Sequence, residues 1–396
     1  MQTPLENLKV LDLSRVLAGP YCTMLLGDMG ADVVKIERQG AGDDTRAYGP
    51  PFVNGESTYF LSVNRSKRSL TMDLKHPRGK ELLWGLIEVA DVLVENFRPG
   101  TLDDLGFGYP EVSQANPRLI YCSISGYGQT GPLSGDPGYD LVIQGEGGIA
   151  SLTGSENGPP MKVGTSQADI VAGMNAFQGI LLALLARHHS NKGQHIDIAL
   201  LDCQVSLLTY QAGIYFATGK SPSRMGNRHP SIAPYETYEC RDGYLNLGCG
   251  NEAIWQRFCS TAGLEHLAAD ARFSSNPTRV EHRSELAGLL EPLLKERTVA
   301  EWVALLRPQG IPCGRIHTVA QVLEHEHTRE REMVVELDHP AAGRIRQTGI
   351  PIKLDKTPGR IVLPPPLLGQ HTAEVLRDWL RLSPAEIETL AVSGVT

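Results

Sequence analysis

Near the N-terminus, apolar residues fall in short unbroken runs separated by stretches with helical spacing. "LKVLDLS" reads as a buried strand, "YCTMLLGDMG" as a helix closed by glycine, and "ADVVKIER" as a second strand, together a β-α-β unit. "RSLTMDLKHPRGKELLWGLIEVADVLVENF" repeats strand, helix and strand, and "RLIYCSISGYG" adds one more strand. Strands without polar alternation are covered on both faces, so the pattern predicts an α/β fold on a doubly wound, largely parallel sheet.

"VGTSQADIVAGMNAFQGILLALLAR", from Val163 to Arg187, follows as an apolar helix with a single charge in its interior, Asp169. "HIDIALLDC" reads as a strand and "QVSLLTYQAGIYFA" as a helix, after which "TGKSPSRMGNRHPSIAPY" is rich in turn formers. The text then changes to a hairpin and several helices. These shifts predict a large Rossmann-like domain over 1–217, a linker over 218–235 and a small α+β domain over 236–325. Residues 326–396 form a return linker and the C-terminal part of the large domain, where a proline-rich strap, "LPPPLLGQ", runs into an amphipathic helix.

Composition bounds the function. A chain of 396 residues exceeds the size at which cores usually divide, which agrees with two domains. A charged share of 21% and a formal charge of −8 lack the basic bias that nucleic acid or an anionic membrane surface would require. The seven cysteines are scattered and never spaced Cys-x-x-Cys, which argues against a zinc site or disulfide framework and for a reducing cytoplasm. No charged-then-apolar leader opens the chain, and no apolar run approaches the roughly 18 residues of a bilayer span.

Several chemistries can be weighed. Glu37 closes the second strand where a ribose-binding acid would sit, but the turn "SRVLAGP" has one glycine instead of the three that admit a pyrophosphate. Arg65, Lys67, Arg68 and Lys75, with Arg38, Arg46 and Arg98, form a basic cluster at loop edges of the predicted sheet. Spacing alone does not choose between a solvated face and a phosphate-rich ligand. "HEHTRE", from His325 to Glu330, lacks the paired histidines of a zinc protease helix, and no Gly-x-Ser-x-Gly elbow is present. Cys122 and Cys313 read as packing residues. At the head of its helix Asp169 would serve as an N-cap, contributing about 1 kcal/mol, and the same location would suit a nucleophile whose charge the helix dipole keeps ionised.

Taken together, these residues resemble the class III CoA-transferase family. The likeness rests on "LDLSRVLAGPYCTMLLGDMGADVVKIER", "NRSKRSLTMDLK", "VENFRPG", "GYGQTGP", "GYDLVIQGEGG", "GTSQADIVAG", "KGQHIDIALLDC" and "PPPLLGQHT", in order along nearly the whole chain. The resemblance implies that Asp169 is a covalent nucleophile. It implies that Val16, Leu17 and Ala18 line the thiol end of CoA, and that Arg38 with Met72, Asp73, Leu74 and Lys75 holds the adenine nucleotide. Asn96, Phe97 and Arg98 would flank pantetheine and phosphates, and Tyr139 and Asp140 would border the catalytic carboxylate. CoA is then carrier and substrate, with no metal and no permanently bound cofactor. The partners implied are acyl-CoA, small carboxylic acids and a second copy of the chain in an interlocked dimer.

Two departures narrow the reading. The formyl-CoA branch has Gln at the position of Leu17 and a tetraglycine loop where this chain has "MGNRHPSIAPY". The racemase branch reads Gly-His-Asp where this chain has Gly138-Tyr139-Asp140, so two-base proton exchange at an α-carbon lacks a partner. "RQGAGDDTRAYGPPF", "STYFLSVNRSKRSL" and "SIAPYETY" are similar to the branch that moves CoA between dicarboxylates such as succinate and glutarate. A distal carboxylate needs a cation, for which Arg46 is the first candidate and Arg228 the second. A racemase or epimerase, and a CoA-binding protein without turnover, are the competing readings.

Overall fold

The computed structural model describes residues 2–396. Two compact units are present: one made of the chain up to Ala150, Lys162–Gly213 and Glu326–Thr396, the other of Ser151–Met161 and Ile214–His325.

The first unit is built on strands β1 (Lys9–Asp12), β2 (Asp32–Glu37), β3 (Lys67–Thr71), β4 (Val92–Glu95), β5 (Ile120–Ser125) and β6 (His195–Ala199). They form one sheet in the order β3-β2-β1-β4-β5-β6, and every neighbouring pair is parallel. Alternate residues point to opposite sides, so Val10, Val33 and Ile120 join one core while Leu11, Val34 and Tyr121 join the other. Helices α1 (Ala18–Asp28) and α4 (Gln167–Ser190) supply the first core. Helices α2 (Pro77–Val89) and α5 (Thr372–Leu380) supply the second. The strand order reverses between β1 and β4, which opens a crevice at the carboxyl ends of the strands, where such folds bind ligands. A further helix, α3 (Asp140–Glu146), packs beside α4.

The chain after the second unit returns to this sheet. Backbone bonds Ser66 N–H to Leu363 O at 2.9 Å and His371 N–H to Ser69 O at 2.9 Å lay the proline-rich strap along β3. The amphipathic helix expected there is α5, and a second helix, Pro384–Val392, follows it behind a Ser383–Glu386 capping box.

One expectation fails. α4 runs for 24 residues with a mean hydropathy of 1.6 over its most apolar stretch, so by length and composition it could cross a bilayer. Gly173, Asn175, Gln178 and Gly179 break its apolar runs yet barely lower the mean. Its buried stripe of Ala168, Ala172, Ala176, Ile180 and Ala183 belongs to the sheet core, so it is a core helix on that side.

The second unit carries an antiparallel sheet of Tyr235–Cys240, Gly243–Gly248 and Cys313–Arg315, with the middle strand paired on both sides. Helices Glu252–Ala262, Arg283–Lys295 and Val299–Leu306 cover it around Trp255, Phe258, Phe273 and Trp302. Ser151–Met161 and the turn-rich residues 218–235 belong to this unit. Arg224 ties those two segments together through Nη2 to the Gly158 carbonyl at 2.8 Å.

Candidate active site

Two hollows open at the crevice. The first, of 130 Å³, is lined by Val16, Leu17, Ala18, Asn96, Phe97, Arg98, Tyr139 and Asp169, together with Arg15 and Gly126. The second, of 290 Å³, is lined by Arg38, Met72, Asp73, Leu74 and Lys75, together with Glu37 and Asp43. Arg15 and Phe97 belong to both, so the two hollows adjoin along the crevice.

The turn between β1 and α1 is held rigidly. Asn96 accepts from the Arg15 N–H at 2.8 Å and donates to the Arg15 carbonyl at 2.7 Å, clipping the turn after β1 to the turn after β4. Buried Lys35 donates to Ser14 O at 2.8 Å and pairs with Asp43 at 2.9 Å, and Asp43 accepts from Val16 N–H at 3.2 Å. These grips stabilise Val16 at φ 69, a left-handed conformation costly for a β-branched residue. The side-chain amide of Asn96 is therefore committed to backbone and shapes the turn.

α4 approaches this turn closely. A Cβ at Gly173 would lie 2.6 Å from the Ala18 carbonyl oxygen and 3.1 Å from the Tyr21 ring, so only glycine admits the contact. Asp169 stands one turn earlier, in the hollow with Leu17 and Ala18. Gly173→Ala is expected to push α4 away, costing about 1–3 kcal/mol of stability in a denaturant melt. An unchanged melt in that variant would show that the spacing is not needed.

Asp169 is not the cap of its helix. α4 begins at Gln167 after Ser166, which places Asp169 at the third helical position, and the cap comes from elsewhere. Asp140, at the start of α3, accepts from the Ala168 N–H at 2.9 Å. Fully buried Gln144 donates to both Asp140 oxygens at 3.0 and 2.9 Å and accepts from Val163 N–H at 2.8 Å. No described residue donates a hydrogen bond to the Asp169 carboxyl. Burial, and then the Asp140 charge, push that carboxyl up from 3.8 to about 7. The expectation that the helix mount keeps Asp169 ionised is thereby corrected: desolvation and a like charge outweigh a dipole contribution of about 1 kcal/mol.

Most of the basic cluster holds the fold together. Arg65 bonds Asp28 at 2.8 Å and also reaches Gln347 and the Thr348 carbonyl. Lys67, fully buried, donates to Asp12 at 3.1 Å, Pro20 O at 2.9 Å and Asn64 at 2.9 Å. Arg68 pairs with Asp32 and reaches Glu374 on α5 at 3.0 Å. Lys67 and Arg68 project from the buried strand β3 and Arg65 from the turn just before it, and charge in such covered places must be paired. Lys75 and Arg38 alone of the predicted nucleotide contacts bring cations to the second hollow's outer edge.

Arg46 is likewise committed. Its fork spans both oxygens of Glu37 at 2.7 Å, donates to Pro366 O at 3.1 Å and lies 3.7 Å over the Phe60 ring. That occupies the first candidate for a distal carboxylate, and it occupies Glu37 as a ribose ligand. Arg228, in the second unit, pairs with Glu236 at 3.0 Å and Glu156 at 3.6 Å. Arg98 lines the first hollow with no ion pair among the described residues. Arg15, stacked at 5.8 Å over Phe97 and paired with Asp44 at 3.1 Å, was missed from sequence although it sits inside the "SRVLAGP" turn. Gln144 was missed because the loop it fastens, at Val163 and Thr165, lies about 20 residues further along the chain.

Comparison with known proteins shows the family. The pattern described as CoA-transferase family III matches residues 5–372. The chain is 43% identical over 392 residues to a protein of Mus musculus named succinyl-CoA:glutarate CoA-transferase, covering 99% of this chain and 90% of that one. It is 39% identical over 393 residues to a succinate–glutarate CoA-transferase of Agrobacterium fabrum, covering 98% and 96%. A crystal structure of a CAIB/BAIF family protein from Brucella suis superposes with a TM-score of 0.85 at 42% identity, covering 96% of this chain and all of that one (100%).

Proposed function

The chain belongs to CoA-transferase family III, and from that premise we propose that it moves CoA from succinyl-CoA to a dicarboxylate acceptor through covalent intermediates on Asp169. One observation carries the reading: Asp169 is an unpaired carboxyl in the hollow with Leu17 and Ala18, and a second hollow of nucleotide size continues from it.

The chemistry follows from a carboxylate facing a thioester. An Asp169 oxygen attacks the thioester carbonyl, the C–S bond breaks, and CoA leaves as thiolate from an aspartyl-acyl anhydride. The thiolate then attacks the Asp169 carbonyl carbon, and the donor carboxylate departs, leaving an aspartyl-CoA thioester. An acceptor carboxylate attacks that thioester, forming a second anhydride and freeing the thiolate. Attack of the thiolate on the acceptor's acyl carbon yields the new acyl-CoA and restores Asp169. No net proton or electron is exchanged, so neither a metal nor a redox cofactor is required for the balance.

The names of the relatives support succinate and glutarate as the exchanged class. Arg98 is the cation of the first hollow without an ion pair among the described residues, and so the one open to the anionic groups of such ligands; Arg15 beside it is paired with Asp44. Arg98→Ala and Lys75→Ala are each expected to raise the KM for acyl-CoA about tenfold while leaving the pH midpoint of turnover unchanged; an unchanged KM would remove that residue from the binding role. The reading itself is tested by incubating the protein with succinyl-CoA and a panel of unlabelled acids, following acyl-CoA products by mass. Transfer to none of them, with deuterium washing into the α-carbon of a branched acyl-CoA, would replace it with the racemase reading.

The seven unpaired cysteines support a reducing, cytoplasmic setting. An interlocked homodimer is part of the same proposal. Leu182 and Leu185 on α4 and Leu141 and Val142 on α3 are exposed large apolar residues that a second copy would cover. Light scattering at micromolar concentration is expected to give twice the chain mass; a monomer would end that part of the proposal.

A further inference from the structure

We infer that Asp140 is a positioning residue for the nucleophile: it takes over the cap of α4, leaving Asp169 uncommitted, and sets a like charge beside it that each covalent intermediate relieves. This rests on Asp169 being the acylated group.

The geometry separates the two carboxylates by task. Asp140 is buried and receives the Ala168 N–H at 2.9 Å and the Gln144 amide at 2.9 and 3.0 Å, so its position is fixed from α3 and from the first turn of α4. Gln144 also donates to Thr165 O at 3.2 Å and accepts from Val163 N–H at 2.8 Å, fastening the loop that delivers Asp169. Asp169 itself, at the third position of the same helix, receives no hydrogen bond from the described residues. Had it supplied the cap, its oxygens would be engaged by backbone N–H groups and be poorer nucleophiles.

A carboxylate beside a second carboxylate in a half-buried site is raised in energy. Acylation removes that cost, because the Asp169 oxygen becomes part of a neutral anhydride or thioester while the charge leaves, first on the CoA thiolate and then on the released carboxylate. The repulsion is present in the free enzyme and absent in the covalent states, so it favours their formation.

Other groups facing Asp169 do not duplicate this role. Tyr59, from the helix Thr58–Val63, is bonded to Ser166 and pushed up to about 12 by burial and by Asp169, so it is neutral near neutrality. Tyr139 lines the hollow, Arg15 and Arg98 border it from the turns after β1 and β4, and Asp136 lies on its rim. Among these, burial and Asp140 raise Asp169.

The test compares the wild-type protein with Asp140→Asn and Asp140→Ser, each of which keeps an oxygen for the Ala168 N–H and removes the charge. Asp169 is titrated directly by carbon-13 NMR on aspartate-labelled protein, its signal assigned by loss in Asp169→Asn. The midpoint is expected to fall by about one pH unit in both variants. The aspartyl-CoA thioester trapped on mixing with succinyl-CoA, read by mass, should drop about tenfold. Gln144→Leu, which keeps the charge and loosens the loop, should lower kcat severalfold with the midpoint in place. An unshifted midpoint in whichever Asp140 variant folds overturns the inference. Retention of transfer by Asp169→Asn would instead remove the nucleophile assignment, and the titration would still report on Asp140.

Discussion

Asp169→Ala is expected to abolish CoA transfer, lowering kcat by at least a thousandfold with little change in acyl-CoA affinity, because the variant has no atom to accept the acyl group. Steady-state kinetics and isothermal titration with a non-transferable CoA thioester separate the two quantities. Trapping with hydroxylamine during turnover should place a hydroxamate on Asp169 in the wild-type protein and nowhere in the variant; a hydroxamate elsewhere would relocate the nucleophile. Since the reactive form is the carboxylate and its midpoint is about 7, kcat/KM should fall tenfold for each pH unit below that value.

The same shift has a consequence for stability. The folded carboxyl titrates near 7 against 3.8 when exposed, so the unfolded chain releases the proton more readily. Below about pH 4 both states are protonated and Asp169 costs nothing. Between about pH 4 and 7 the unfolded chain ionises while the folded carboxyl keeps its proton, a cost that grows to on the order of 2–4 kcal/mol and is complete above 7. Asp169→Asn should therefore melt higher than the wild type at pH 8, with the gain vanishing toward pH 4. A gain independent of pH would contradict burial of the charge.

Lys67→Ala is expected to destabilise the first unit by about 3–5 kcal/mol, the usual consequence of leaving a buried carboxylate without its cation. Asp12 is fully buried, and besides Lys67 it is bonded to Ser14 and to Thr23 at 2.6 Å. Burial lowers the Lys67 ammonium to about 8, so the pair is costly to assemble and costlier to break. Denaturant unfolding measures the loss, and the fraction that remains folded should keep its KM for acyl-CoA. A raised KM with intact stability would instead make Lys67 a phosphate ligand.

The fate of the basic cluster shows why part of the site could not be read from sequence. Arg65, Lys67 and Arg68 carry the charges expected of a phosphate-binding strip, and their spacing is equally that of a strand whose partners lie elsewhere. Those partners, Asp28, Asp12 and Asp32, come from α1, β1 and β2, while Gln347 and Glu374 come from some 280 to 300 positions away. Arg46 met the same end against Glu37. Charge pairing between distant segments leaves no local trace. Arg38 and Lys75, in loops at the carboxyl ends of β2 and β3, have no such partner among the described residues and remain at the groove.

The strands and helices around the crevice, by contrast, are local properties. Unbroken apolar runs require cover on both faces, helical spacing supplies it, and the alternation of the two dictates a parallel sheet with its crevice at the carboxyl ends. That much followed from the order of residues, as did the place of Asp169 at the head of a long apolar helix. Which carboxylate would cap that helix and which would be left free was a tertiary decision. Asp140 and Gln144 reach α4 from a separate helix, and Gly173 brings α4 against the Ala18 carbonyl. Hydrogen-bond partners and local dielectric are set by what packs around a group, so the unpaired, raised carboxyl of Asp169 exists only in the folded chain.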